Sequence, residues 1–196
     1  MRKLIVSMNV TLDGFMSGPD CGLEWHFESW NSQMATSFCR QLAEADTILL
    51  GRVTYTAMAA YWNAKALSIS CSREDIVFTE MMNRYAKVVV SHTLATAKWN
   101  NSIVINGNLA EEIRHLKQQT GKDIIVYGSG KLLSHLVRLN LVDEYRLWIH
   151  PVAIRNGKSL FSNLQIQSLE LMTTETFDSG VVILYYRCKQ AATPNF

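Results

Sequence analysis

Two hydrophobic rhythms alternate along this chain. Short apolar runs rich in β-branched residues at 3–10, 46–50, 87–91, 103–105 and 123–127 read as strands, the first apolar enough to be buried on both faces. Between them, apolar residues fall at three- and four-residue steps. Met34, Phe38, Leu42 and Ala45 predict a helix over 29–45, and similar spacing predicts helices over 53–61, 109–119 and 131–139, with a short one over 74–83. Ile113 and Leu116 mark the inner side of 109–119, and Gly121 ends it. Residues 12–14 are a turn, 17–25 an irregular loop containing Gly18, Pro19, Cys21 and Gly22, and 62–72 the least regular stretch. Near the end, 142–150 and 169–177 alternate apolar with polar residues. Asp178, Ser179 and Gly180 then turn the chain into 181–187, a terminal hairpin. Strands alternating with helices predict an α/β fold: a mostly parallel sheet, helices on both faces, and an antiparallel hairpin at one edge. One domain over 1–190 with a loose tail at 191–196 fits the 196-residue length, and no repeat or linker interrupts it.

Composition narrows the function classes. At 48% hydrophobic and 18% charged residues the chain has an ordinary globular make-up. The formal charge of +2 without a Lys/Arg run gives no footprint for nucleic acid. No apolar stretch approaches the roughly 18 residues of a membrane span. The start mimics a signal peptide, but its apolar part is short and is broken by Asn9, Thr11 and Asp13. Cys21, Cys39, Cys71 and Cys188 are scattered, without metal-ligand spacing, so free thiols in a cytoplasmic protein are expected and no metal site is.

The chemistry concentrates in glycine-marked turns. LLGRVTY (49–55) and IVYGSGKL (125–132) each read as strand, tight turn, helix start. A helix start offers free backbone N–H groups and a partial positive charge, and glycine lets a phosphate come close. Two such cradles in one domain point to a ligand with more than one phosphate, a dinucleotide being the obvious candidate. Gly51, Arg52 and Thr54 form the first cradle; Gly128, Ser129, Gly130 and Lys131 form the second, which lacks the third glycine of the Rossmann fingerprint. Arg52 opposes the helix dipole unless an anion is bound. Ser91, His92 and Thr93 follow a strand, where with Arg52 they suit a 2′-phosphate. Asp13 after the first strand offers a proton donor, with Glu24 and Glu28 as rivals. Ser7 and Asn9, on one face of a buried strand, need partners, and a ligand is one option. Trp25, Phe27 and Trp30 suit stacking on a planar ring. His150, before Pro151, is read as structural.

Taken together with LVDEYRL (141–147), HPV (150–152) and GKSLF (157–161), these motifs resemble the dihydrofolate-reductase-like family over about residues 1–190. Within it, the chain is similar to single-domain relatives of the C-terminal reductase domain of the bifunctional riboflavin-biosynthesis deaminase/reductase. No deaminase domain precedes the reductase-like region, so a single-domain reductase is expected. The resemblance implies a three-layer α/β/α fold and NADPH as cofactor. It implies that the turn at Gly51 to Thr54 faces the cofactor phosphates, that Gly128 to Lys131 holds the pyrophosphate, and that Ser91 to Thr93 meets the 2′-phosphate end. It also implies a small-molecule substrate near Ser7, Asn9, Asp13 and Trp25, and a homodimer.

Two departures bear on the substrate. The stretch matching the family's first helix, 33–37, has no acidic residue to grip a pteridine, and Arg155 stands where relatives have glycine. The expected function is hydride transfer from NADPH to a C=N or C=O group of a small pterin-like or ribosylaminopyrimidine-like heterocycle. The alternative is an NADP-binding module without turnover.

Overall fold

A computed structural model describes residues 1–66, 73–161 and 168–189. The first strand, β1 (Leu4–Thr11), is buried along both faces because it runs through the middle of a sheet. After it come β2 (Phe15–Ser17), α1 (Glu24–Glu28), α2 (Ser32–Ala43), β3 (Ala45–Gly51), α3 (Arg52–Lys65), α4 (Arg73–Arg84) and β4 (Ala86–Val90). The second half holds β5 (Ser102–Ile105), α5 (Leu109–Gln118), β6 (Asp123–Tyr127), α6 (Gly130–Arg138), β7 (Glu144–His150), β8 (Lys158–Ser159), β9 (Leu169–Thr176) and β10 (Val182–Cys188). Among the described residues, eight strands form one sheet in the order β5-β4-β3-β6-β1-β7-β10-β9, and β2 pairs with β8 beside it. The strands from β5 to β7 are mutually parallel, while β10 is antiparallel to both β7 and β9. This is the expected α/β sheet with its C-terminal hairpin at one edge.

Two apolar cores flank the sheet. Leu4, Val6, Met8 and Val10 of β1 pack with Ile113 and Leu116 of α5 and Leu133 and Leu136 of α6. On the other face, Ile48, Leu50, Ile125 and Trp148 pack with Met34, Phe38 and Leu42 of α2 and Tyr55 of α3. Phe38 stacks on Trp148 at 3.9 Å between ring centroids. The three layers arise because successive side chains along a strand point to opposite covers.

Several boundaries differ from the sequence reading, each for a local reason. The loop at 17–25 ends in α1, a five-residue helix without buried residues and so without an apolar stripe to betray it. The next helix starts at Ser32 rather than 29, because the Asn31 side chain accepts the Met34 N–H at 2.9 Å and caps it. Helix α3 runs past Tyr61 to Lys65, since Trp62 finds Phe78 of α4 at 5.1 Å, edge to face. Strand β7 does not alternate: it is buried on both faces, lying between β1 and β10. The tail at 191–196, Cys71 and most of the irregular stretch at 62–72 lie outside the described residues.

Candidate functional site

Neighbouring strands β3 and β6 send their helices to opposite faces. Tyr55 of α3 belongs to the core on one side, and Leu132 and Leu133 of α6 to the core on the other. Such a reversal opens a crevice at the carboxyl ends of parallel strands, the place where open α/β sheets bind ligands. Both glycine turns lie there, and they touch. The Gly51 N–H donates to Ser129 Oγ at 2.8 Å, and Ser129 Oγ–H donates to Thr54 Oγ1 at 2.8 Å.

The geometry allows no side chain on Gly128. Its φ is +68°, and a Cβ there would come within 2.8 Å of Thr54 Cγ2. Ser129 follows at φ +64°, a left-handed conformation for a non-glycine residue, held by its two bonds across the crevice. The Gly128 N–H turns inward to Met8 Sδ at 3.2 Å, so the glycine shapes the turn while the α6 start supplies the outward amides.

Helices α3 and α6 differ at their starts from α2 and α5. Asn31 and Asn108 cap α2 and α5 with their side chains, and Glu111 and Glu112 occupy the first turn of α5. Neither α3 nor α6 has a side-chain cap bond or an acidic residue in its first turn. Arg52 and Lys131 stand exposed at these two starts. Cations at a positive helix end are unfavourable by themselves and favourable around a bound anion. This donor set, two free helix starts with an arginine, a lysine and two hydroxyls, fits a diphosphate-bridged coenzyme.

Ser91, at the end of β4, is buried, and its Oγ accepts the Thr93 and Leu94 N–H groups at 3.1 and 3.0 Å. His92 and Thr93 are exposed beyond it. β4 adjoins β3, so this turn shares the sheet edge with Arg52.

Beyond β6 lies β1, and there the surroundings change from phosphate-like donors to rings. Ser7 is buried, and its Oγ accepts Trp148 Nε1–H at 3.3 Å, so an internal partner answers its need. Asn9 Oδ1 lies 3.0 Å from His150 Nε2. Above His150 sit Trp25, edge to face at 5.0 Å between centroids, and His26 at 5.5 Å. Burial pushes both imidazoles down to about 4, the nearby His26 adding to the shift at His150. Both rings are therefore neutral at pH 7. Among the described residues, Trp25 Nε1, His150 Nδ1 and the Tyr127 hydroxyl are buried and find no hydrogen-bond partner. The sequence offers no signal for His26, and a structural role is all it suggests for His150. Only the parallel pairing of β1 with β7, which sets Thr11 opposite His150, brings that histidine to Asn9.

Asp13 is placed differently from a free proton donor. Thr11 Oγ1–H donates to Asp13 Oδ1 at 2.6 Å, and the Arg155 N–H donates to Oδ2 at 2.7 Å. The Thr11 bond first, then the Arg155 and Ile154 amides, hold the carboxyl below the usual carboxylate range. Asp13 thus ties the loop after β7 to the end of β1. Glu24 is exposed at the first position of α1, and Glu28 is exposed at its last.

A cleft of about 430 Å³ opens elsewhere, between α2 and the β9–β10 hairpin. Glu44, which lines it, immediately precedes β3, so the cleft lies toward the amino-terminal end of the parallel strands. Arg146 there pairs with Glu144 and Glu44, and Arg40 with Glu175. Among the described residues, no group of three or more His, Cys, Asp or Glu is placed to hold a metal ion, and no helix is long and apolar enough to cross a membrane.

The fold is of the dihydrofolate-reductase-like α/β kind. The chain belongs to the RibD C-terminal domain family, whose profile matches residues 2–183. It is 36% identical over 186 residues to the uncharacterised Bacillus subtilis protein YyaP, covering 94% of each chain. Among solved structures it is similar to a Shewanella sp. PV-4 protein named for riboflavin biosynthesis, at 18% identity and a TM-score of 0.76, covering 96% of this chain and 99% of that one. It is also similar in fold to the Enterococcus faecalis dihydrofolate reductase solved with NADP(H), at 12% identity and a TM-score of 0.60, covering 96% and 97%.

Proposed function

We propose that this protein is an NADPH-dependent reductase of a small heterocycle. The observation that carries the proposal is the meeting of the two glycine turns, Gly51 N–H on Ser129 Oγ at 2.8 Å, at the point where α3 and α6 leave for opposite faces. In this reading the amides at the starts of α3 and α6 hold the pyrophosphate, with Thr54, Ser129 and Lys131 beside them. Gly51, Gly128 and Gly130 shape the two turns, leaving the room that Ser129, Thr54 and Met16 fill beside them. Arg52, with Ser91 and His92 across the β3–β4 edge, holds the 2′-phosphate. When bound, the coenzyme supplies a hydride to a C=N or C=O carbon.

The substrate lies over the end of β1, against Asn9 and beneath Trp25. Ser7 supports from below by fixing Trp148. Asp13, already ionised and engaged by two amides, positions the loop at 154–155. Proton supply falls to Glu24, one residue from Trp25. The apolar rings around His150 exclude water and fix the substrate's plane.

The test is NADPH consumption over a panel of pterins, pyrimidinones and small carbonyl compounds. Saturable consumption with at least one of them is expected, with Glu24→Gln lowering kcat and leaving NADPH affinity unchanged. Tight NADPH binding with no consumption across the panel would overturn catalysis and leave a coenzyme-binding module. The protein is proposed to form a homodimer, a reading supported by β9, an edge strand with exposed Leu171 and Met172.

A further inference from the structure

Between β2 and α1 the chain brings together two reactive side chains that have no part in the crevice. Lys158 Nζ–H donates to Cys21 Sγ at 2.6 Å. Sulfur is larger than oxygen, and even N–H···O bonds run at about 2.7–3.2 Å, so nothing fits between these two atoms. Among the described residues Lys158 forms no ion pair; the sulfur is the neighbour its Nζ takes instead of a carboxylate. Both backbones are anchored. Lys158 lies opposite Ser17 in the β2–β8 pair, and a Cβ on Gly157 would collide with the Ser17 carbonyl oxygen, so glycine lets the strands close up there. Cys21 lies just beyond β2, in a turn where its N–H donates to the Gly18 carbonyl at 3.1 Å and the Gly18 N–H to the Gly22 carbonyl at 2.9 Å. Cys21 is exposed while Cys39 and Cys188 are half-buried, so among the described thiols it is the first that an oxidant in solution meets.

We propose that Cys21 and Lys158 form a redox modification site, at which a peroxide joins the two side chains through a sulfur–nitrogen bond. The peroxide first oxidises the thiol to a sulfenic acid. Its O–O bond breaks, one oxygen stays on sulfur, the other leaves as water, and sulfur gives up two electrons. Lys158 Nζ, after losing a proton to solvent, then attacks Sγ with its lone pair. The S–N bond forms, the S–O bond breaks, and the hydroxyl leaves as water with a proton from the amine. Thiol, amine and peroxide thus become a sulfenamide and two waters. A sulfenic acid condenses in this way with a nitrogen held against it, and a thiol reverses the step, whereas further oxidation to the sulfinic acid is not reversed by thiols.

The bond has a mechanical consequence. Only Gly22 and Leu23 separate Cys21 from α1, which carries Trp25 and His26 to His150. Helix α1 is five residues long, has no side-chain N-cap bond and buries none of its residues, so little holds it against displacement. Tying Cys21 to β8 shortens the free tether of α1 and restrains its departure from the end of β1. The site stands on this contact alone and does not depend on the reductase reading.

Limited hydrogen peroxide on the full chain, followed by intact mass and peptide mapping, tests the proposal. The expected product is lighter than the reduced chain by two hydrogen atoms, yields one peptide pair joined through Cys21 and Lys158, and returns to the starting mass with dithiothreitol. Hydrogen exchange over 18–25 should slow in the joined form. Lys158→Arg keeps the cation and the donor but supplies no attacking amine. In that variant dimedone should trap the Cys21 sulfenic acid about tenfold more than in wild type. Cys21→Ser should give no joined pair. Both side chains are exposed, so the variants are expected to fold, and the wild-type mapping needs neither of them. Equal dimedone labelling in wild type and Lys158→Arg, oxidation of Cys21 to the sulfinic acid without a joined pair, or a Cys21 left unoxidised would overturn the inference. A joined pair heavier by one oxygen would overturn the direct bond, replacing it with an S–O–N bridge.

Discussion

His26 and His150 make the site sensitive to acid in a way that can be signed in advance. An unfolded histidine takes up its proton near pH 6.5, whereas these two hold off until about 4. Between those values the unfolded chain binds more protons, so folding stability is fully present above about 6.5 and falls as the pH drops toward 4. The loss is roughly 2 kcal/mol for each ring between pH 7.5 and 5, since a tenfold difference in proton affinity is worth about 1.4 kcal/mol. Urea midpoints at the two pH values measure it, and His26→Phe should flatten the difference. Asp13 gives a second residue-level expectation. Asp13→Asn removes the charge from the bonds to the Ile154 and Arg155 amides, so hydrogen exchange at those two amides should speed up while exchange in β1 stays slow. The sequence placed Asp13 at the right end of the sheet. It could not show that the carboxylate is occupied, because Ile154 and Arg155 lie 141 and 142 residues away along the chain.

The elements were the most legible level. The strands at 46–50 and 123–127 and the helix after each were readable because buried parallel strands are continuous apolar runs and helices keep three- and four-residue steps. Glycine marked both turns, yet the reason for Gly128 came only with the neighbour: its left-handed backbone and Thr54 leave no room for a methyl group. Gly128→Ala is therefore expected to lower stability by about 1–3 kcal/mol, combining backbone strain with the push on Thr54, and to weaken NADPH binding. A thermal melt and a coenzyme titration of the variant check both parts. Helix α1 escaped notice because a short helix with an exposed surface has no periodic stripe, and with it went His26.

For the whole molecule, the pattern along the chain implied a parallel sheet with a closing hairpin, but strand order was beyond it. β6 inserts between β3 and β1, and this single placement brings the two glycine turns together and sets the ring cluster on their other side. The exposed edge at β9 belongs to the same scale. Light scattering is expected to give a mass twice that of the chain, and Leu171→Glu with Met172→Glu to give the monomer if β9 forms the contact. The central claim is that the crevice between β3 and β6 holds the diphosphate bridge of NADPH. Titration calorimetry tests it most directly. One NADPH is expected to bind per chain with a Kd in the micromolar range or below, weakened about tenfold by Arg52→Gln or Lys131→Gln, and NADH to bind markedly more weakly. No heat of binding from a folded wild-type protein, or undiminished affinity in both variants, would contradict it.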